Sequence, residues 1–244
     1  MPISAVILSL AYPLAATSGP VDAALTATEA PDTFRAAFTV KLESPTASRE
    51  FRFDPRKDED HRWELTSARG EDDDLDEAVA AWANETAPDG RLFPDDLRLS
   101  MGQQVDVKDL GGAWRVHFTH KPSLNDGELD VWLARRVDAE AWLDPVTGSF
   151  LRLDYRLPYP VRGPDGGRLT KFRQSYFLER DPTWGLSYIA AYTMGFEAKG
   201  GFRTIRRDYT ATVTSIEFFF ATDNAQQEFE AEQHRTSGRS LAER

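Results

Sequence analysis

From Phe34 to Phe220 the chain repeatedly alternates apolar and polar residues, the mark of strands with one face in a core and one in water. Phe34, Ala36, Phe38, Val40 and Leu42 share one face, and Arg35, Thr39, Lys41 and Glu43 the other. After a Ser-Pro-Thr-Ala-Ser turn, Phe51 and Phe53 alternate with Arg52 and Asp54, and then Trp63 and Leu65 with Arg62 and Glu64. Such strands in series predict hairpins. The pattern resumes at Trp114, where Val116, Phe118 and His120 oppose Arg115, His117 and Thr119. An Asn125-Asp126-Gly127 turn then leads to a predicted strand in which Leu129, Val131 and Leu133 alternate with Asp130 and Trp132. Val137 to Leu143, Leu151 to Leu157, Phe172 to Leu178, Tyr188 to Phe196 and Tyr209 to Phe220 complete the series. The sharpest hairpin signal is Asp144-Pro145-Val146-Thr147-Gly148, where Pro and Gly supply turn geometry.

The period changes between Glu71 and Thr86. Leu75, Ala78, Val79 and Trp82 fall at helical spacing, behind an acidic run, Glu71 to Asp74, suited to a helix N-terminus. Pro88, Asp89-Gly90 and Pro94 then break the chain, and Leu92 to Met101 has room for a second short helix. The fold class that results is mainly β with minor α. A single curved antiparallel sheet of about ten or eleven strands forms a half-barrel, covered by one or two helices.

Two flanks differ from this body. Residues 1–23 read as a signal peptide: Ile3 to Ala16 is an apolar run too short to span a bilayer, and Ala16 and Ala23 are both acceptable cleavage positions. No Lys or Arg precedes that run, a departure from the usual leader. Residues 24–222 form the half-barrel domain, and 223–244 a polar tail, either a frayed helix or disordered. A periplasmic or secreted location is expected. The absence of cysteine excludes disulfides, thiolate metal sites, a Cys nucleophile and lipid attachment through Cys.

Charge narrows the partners. A formal net charge of -11 and an isoelectric point near 4.9 argue against nucleic acid, and by the same reasoning against anionic membrane surfaces. Nothing suggests a membrane-spanning protein.

Catalytic signatures are missing. His117 and His120 lie three apart in a strand and so face opposite ways, and His61 and His234 have no paired ligand nearby; no metal and no cofactor is expected. There is no G-x-S-x-G elbow, P-loop, G-x-G-x-x-G or H-E-x-x-H. Asp130, Glu140, Asp154 and Glu179 sit in predicted strands, where a facing pair would suit glycoside chemistry. The acidic run lacks the Gly and terminal Glu of a calcium loop and reads as helix capping. Asn84-Glu85-Thr86 matches a glycosylation sequon, relevant only to a eukaryotic secretory route.

The order of elements resembles the lipoprotein-carrier superfamily, half-barrels typified by the periplasmic lipoprotein chaperone and its outer-membrane receptor. The resemblance spans roughly Thr33 to Thr222, and its most recognisable piece is the hairpin from Ala141 to Phe150. It implies an apolar cavity that takes acyl chains between a curved sheet and its covering helices. Geometry independently asks for a cover, since a curled sheet open on one side must seal its inner apolar face with side chains, a helix or a ligand. Candidates for that face are Phe118, Val131, Leu153, Tyr155, Phe172, Tyr176, Tyr192 and Met194, with Leu75, Val79 and Trp82 from the lid. Trp132 and Trp142 lie on the opposite phase and mark a second packed face or a contact patch.

Three functions follow from these readings. The first is a noncatalytic exported protein holding a lipid, an acylated protein or another apolar ligand. The second is an envelope scaffold or protein-interaction module, and the third a carbohydrate-active enzyme.

Overall fold

The computed structural model describes residues 20–28, 32–85, 88–94, 97, 100–122, 128–164, 166–201 and 203–231. Among them, one open antiparallel sheet of eleven strands dominates. Its members are β1 (Phe34–Glu43), β2 (Ser48–Phe53), β3 (Trp63–Arg69), β4 (Met101–Asp109), β5 (Trp114–His120) and β6 (Asp138–Asp144). They continue as β7 (Ser149–Arg156), β8 (Val161–Arg162), β9 (Arg168–Arg180), β10 (Ser187–Gly200) and β11 (Arg203–Phe220). Helices are α1 (Pro20–Thr26), α2 (Asp73–Ala83), α3 (Glu128–Ala134) and α4 (residues 223–231).

The strand order is β3-β2-β1-β11-β10-β9-β7-β6-β5-β4, with β8 beside β9. One consequence of this order decides where a site can form. β3 and β4 are consecutive in the chain yet occupy opposite edges of the sheet. The connection between them, residues 70–100, must therefore cross the whole sheet, and it lays α2 and a 3-10 turn (Pro88–Leu92) over one face. Pairing of β1 with β11 joins the two ends of the meander at the centre.

That face is a single apolar surface. The register places Leu42, Ala211, Tyr192, Tyr176, Leu153, Ala141 and Val116 side by side across β1, β11, β10, β9, β7, β6 and β5. Because side chains alternate strictly, these seven point the same way. Register shifts interrupt the ladders at Thr39/Val40, Glu50/Phe51, Trp142/Leu143, Ile189/Ala191 and Glu197/Ala198. Irregularities of this kind bend and twist strands, which is how a wide sheet curls into a half-barrel.

Two apolar clusters fill the two halves of this surface. One gathers Phe34, Phe38, Phe51 and Phe53 with Leu75, Leu92 and Phe93; the other gathers Phe118, Phe150, Leu153 and Phe172 with Val21 and Ala24 of α1.

Two sequence readings change, the strand from Leu129 to Leu133 and the start of the sheet's second half. Leu129 to Leu133 is helix α3, and Val131 is therefore not on the sheet. The segment carries both periods, since Leu129, Val131 and Leu133 alternate while Leu129, Trp132 and Leu133 also fit i, i+3, i+4. The sheet instead gains β4, earlier in the chain, which periodicity did not announce. Within the stretch from Leu92 to Met101, expected to have room for a second short helix, the described residues Leu97 and Ser100 are helical, preceded by the Pro88–Leu92 turn and followed by β4 from Met101. The tail folds as far as Ala231, where Phe229 of α4 packs against Phe34, Trp184 and Phe220 with ring centroids 5.7, 6.1 and 5.4 Å away. At the other flank, the boundary expected after Ala23 falls inside α1. The rest of the leader, the turn at Asn125 to Gly127, Thr86 of the sequon and His234 lie outside the described residues.

Candidate functional site

The crossing segment is fastened to the sheet by ion pairs. Arg49 shares the inward phase of Phe51 and Phe53, an unusual position for a charge, and is 5% exposed. Its guanidinium donates to both carboxylate oxygens of Asp76 on α2, at 2.6 and 3.1 Å, and to the carbonyls of Ser48, Arg69 and Gly70. The hydrogen bonds from Arg49 hold the Asp76 carboxyl below the usual carboxylate range. Arg207 of β11 pairs with Asp74 and Glu77 of the same helix at 2.9 and 3.0 Å. Asp72 caps α2, accepting from the backbone N–H groups of Asp74 and Leu75. The 3-10 turn is held separately, by Asp89, which accepts from Arg35 and from the backbone N–H of Ala36 on β1.

Between this cover and the sheet lies a partly open cavity of about 810 Å³. Volumes of roughly 300–1,000 Å³ are typical of pockets that hold small organic ligands. The cover contributes Ala78, Ala81 and Trp82 from α2, and Leu92, Phe93 and Leu97 beyond it. The sheet contributes Val40, Leu42, Leu153, Ala211 and Val213.

An aromatic ladder runs across its floor. His120, Tyr155, Tyr176, Tyr192 and Tyr209 stand on β5, β7, β9, β10 and β11, and successive ring centroids are 4.8, 6.3, 5.0 and 5.9 Å apart. Rings give a wide apolar surface at small entropic cost, and each tyrosine adds one polar tip. Gln174 ties these tips together, its amide nitrogen donating to the hydroxyls of Tyr176 at 2.8 Å and Tyr192 at 3.3 Å. Burial pushes the Tyr192 and Tyr209 hydroxyls above the ordinary tyrosine range, so both are neutral donors at physiological pH. At the rim, the Arg91 guanidinium lies 5.4 Å from the Trp82 ring centroid and pairs with Glu85.

Of the residues expected on the inner face, Trp82, Leu153, Tyr155, Tyr176 and Tyr192 line this cavity. Leu75, Phe118 and Phe172 are buried in the flanking clusters, and Val79 and Met194 pack half-buried against them. Val131 instead borders a surface depression with Glu128, Trp132, Arg135 and Arg136. Sequence reasoning missed Gln174, Tyr209, Val40, Leu42 and Ala211 as lining residues. Gln174 was the readable one, as an inward-phase amide between Phe172 and Tyr176.

None of the carboxylates considered for glycoside chemistry lines this cavity. Glu140 and Asp154 face each other across β6 and β7 on the outer side of the sheet, Glu140 near Arg115 and Asp154 bonded to Arg152 and Ser175. Glu179 accepts from Tyr188 at 3.0 Å, and Asp130 lies on α3. Trp142 occupies the outer face, opposite Arg115 and Arg152. Among the described residues no group of three or more His, Cys, Asp or Glu is placed to hold a metal ion, and no helix is long and apolar enough to cross a membrane.

Compared with protein-family models, with curated proteins and with solved structures, the chain matches none.

Proposed function

We propose that this protein is a noncatalytic, exported binder of an apolar ligand, a lipid or an acyl chain free or attached to a protein, held under α2. The single observation that carries the reading is the cavity of about 810 Å³ where the connection from β3 to β4 crosses the sheet. A filled interface there would have favoured the scaffold role. The lining supports an elongated guest: aliphatic and aromatic side chains dominate, and the polar groups are confined to tyrosine tips, Gln174, His120, Ser100 and the Glu85–Arg91 rim. Apolar side chains supply affinity in such a cavity, and a few polar groups fix orientation. The apolar leader supports export.

Organic extraction of the purified full chain followed by mass spectrometry tests this. A copurifying amphiphile near one equivalent is expected. Protein that is empty on isolation and fails to take up a fluorescent fatty acid overturns the reading.

A further inference from the structure

The chain is acidic as a whole, yet one end of its sheet is basic. Register places Arg162, Arg168 and Lys199 side by side on β8, β9 and β10. Arg173 follows on β9, Arg203 opens β11 opposite Gly200, and Arg206 lies opposite Glu197. All six are exposed. Lys199 and Arg206 share Glu197, at 3.7 and 2.9 Å, whereas Arg162, Arg168, Arg173 and Arg203 have no ion-pair partner among the described residues.

Two large apolar side chains stand in solvent at the same rim. Ile205, opposite Ala198, is 56% exposed, and Tyr159, two residues before β8, is 68% exposed. This combination selects the partner. An acidic protein surface would match the arginines, and would need apolar pockets of its own beside its acids to receive Ile205 and Tyr159. The face of an anionic bilayer offers both, negative headgroups for the guanidinium groups and an interfacial layer where aromatic and aliphatic tips are favoured.

Overall charge does not forbid this contact. Screening reduces interactions beyond about 8 Å at physiological ionic strength. A strand of β10's 14 residues extends roughly 45 Å, so most of the acidic surface is electrically remote from the rim. The acids on the rim strands are already engaged, Glu197 by Lys199 and Arg206 and Asp208 by Lys171, and Asp74 and Glu77 of α2 by Arg207.

We propose that this rim docks the protein on an anionic lipid surface, with Arg162, Arg168 and Arg203 on headgroups and Ile205 and Tyr159 at the acyl boundary. The proposal stands apart from the cavity, since every residue in it lies outside the cavity lining.

Flotation of the full chain with vesicles tests it. Binding is expected to vesicles of phosphatidylcholine mixed with phosphatidylglycerol, to be absent with phosphatidylcholine alone, and to weaken as salt rises. The triple variant R162Q/R168Q/R203Q is expected to lose about a hundredfold in partitioning, near fivefold per charge. Ile205→Ser is expected to lose several-fold with the salt slope unchanged. Equal binding to neutral vesicles, no binding to anionic ones, or indifference to salt would overturn the proposal. So would equally tight capture on immobilised polyglutamate, lost in the same variants, which would assign the rim to an acidic protein. Fatty-acid uptake by the triple variant, expected at the wild-type level, verifies its fold and separates failure of the rim from failure of the cavity.

Discussion

Arg35 and Asp89 are joined across 54 residues of chain by two hydrogen bonds, one of them 3.0 Å from Nη2 to Oδ1, and Asp89 is only 3% exposed. The same carboxylate accepts from the backbone N–H of Ala36. This contact fixes the Pro88–Leu92 turn on β1, and with it the position of Leu92 and Phe93 at the cavity wall. Asp89→Ala leaves Arg35 and the Ala36 N–H without their acceptor. The expected cost is about 2 kcal/mol, read as a lower urea midpoint, with weaker fatty-acid binding as the wall loosens.

Filling the cavity should abolish binding without unfolding the protein. Ala78 lies on the half-buried stripe of α2 and faces the empty space. Ala78→Phe is expected to reduce fatty-acid affinity at least tenfold while the thermal midpoint stays within a few degrees of wild type. Isothermal titration and thermal unfolding measure the two quantities.

The tyrosines set an alkaline limit. Burial and the hydrogen bond to Glu179 push Tyr188 up to about 12, and burial raises Tyr192 and Tyr209 as well. In the unfolded chain a tyrosine ionises near pH 10. The raised folded value means that this stability is fully present below about pH 10 and is lost as pH rises toward about 12. The buried Tyr188, Tyr192 and Tyr209 are expected to ionise only together with loss of circular dichroism above pH 10, seen as a fraction of the phenolate absorbance that appears with unfolding.

Acid acts with the opposite sign. Hydrogen bonds from Arg56 lower both Asp54 and Glu217, and backbone and Thr147 hydrogen bonds lower Asp144 in its hairpin turn. Lowered folded values give stability that is present above about pH 4 and lost as pH falls below it. Stability measured by urea titration is expected to be flat between about pH 5 and 9 and to fall on the acid side. Arg56→Gln is expected to soften that acid limb.

Both flanks of the chain reach into the fold. Phe229 caps the group of Phe34, Trp184 and Phe220, and Phe229→Ala is expected to cost about 2 kcal/mol, somewhat below the range for fully buried aromatic residues. At the other end Val21 and Ala24 are buried. Of the two cleavage positions proposed for the leader, Ala16 would keep α1 whole, whereas Ala23 would remove Val21. N-terminal sequencing of exported protein is expected to find Thr17 first.

Much of the sheet was legible because its strands bury one face only. Phe34 to Leu42 and the Ala141 to Phe150 hairpin declare themselves by alternation alone. β4 did not, because it is an edge strand whose Val107 remains exposed, leaving little apolar contrast. The segment from Leu129 to Leu133 satisfied two periods, and the choice between them belongs to tertiary packing. The cavity itself was illegible in detail. It depends on β3 and β4 standing at opposite edges, and on β1 meeting β11, pairings between residues far apart in the chain that local pattern does not encode. Arg49 and Asp89 were invisible as anchors for the same reason, since each is explained only by a partner on another element.

Equilibrium titration of a fluorescent fatty acid into delipidated protein, run side by side for wild type and Ala78→Phe, is the most direct measurement. Saturation at one equivalent for wild type, with the variant folded but nearly unresponsive, is the expected result. A wild-type protein that does not bind, or a variant that binds just as well, would contradict a guest beneath α2.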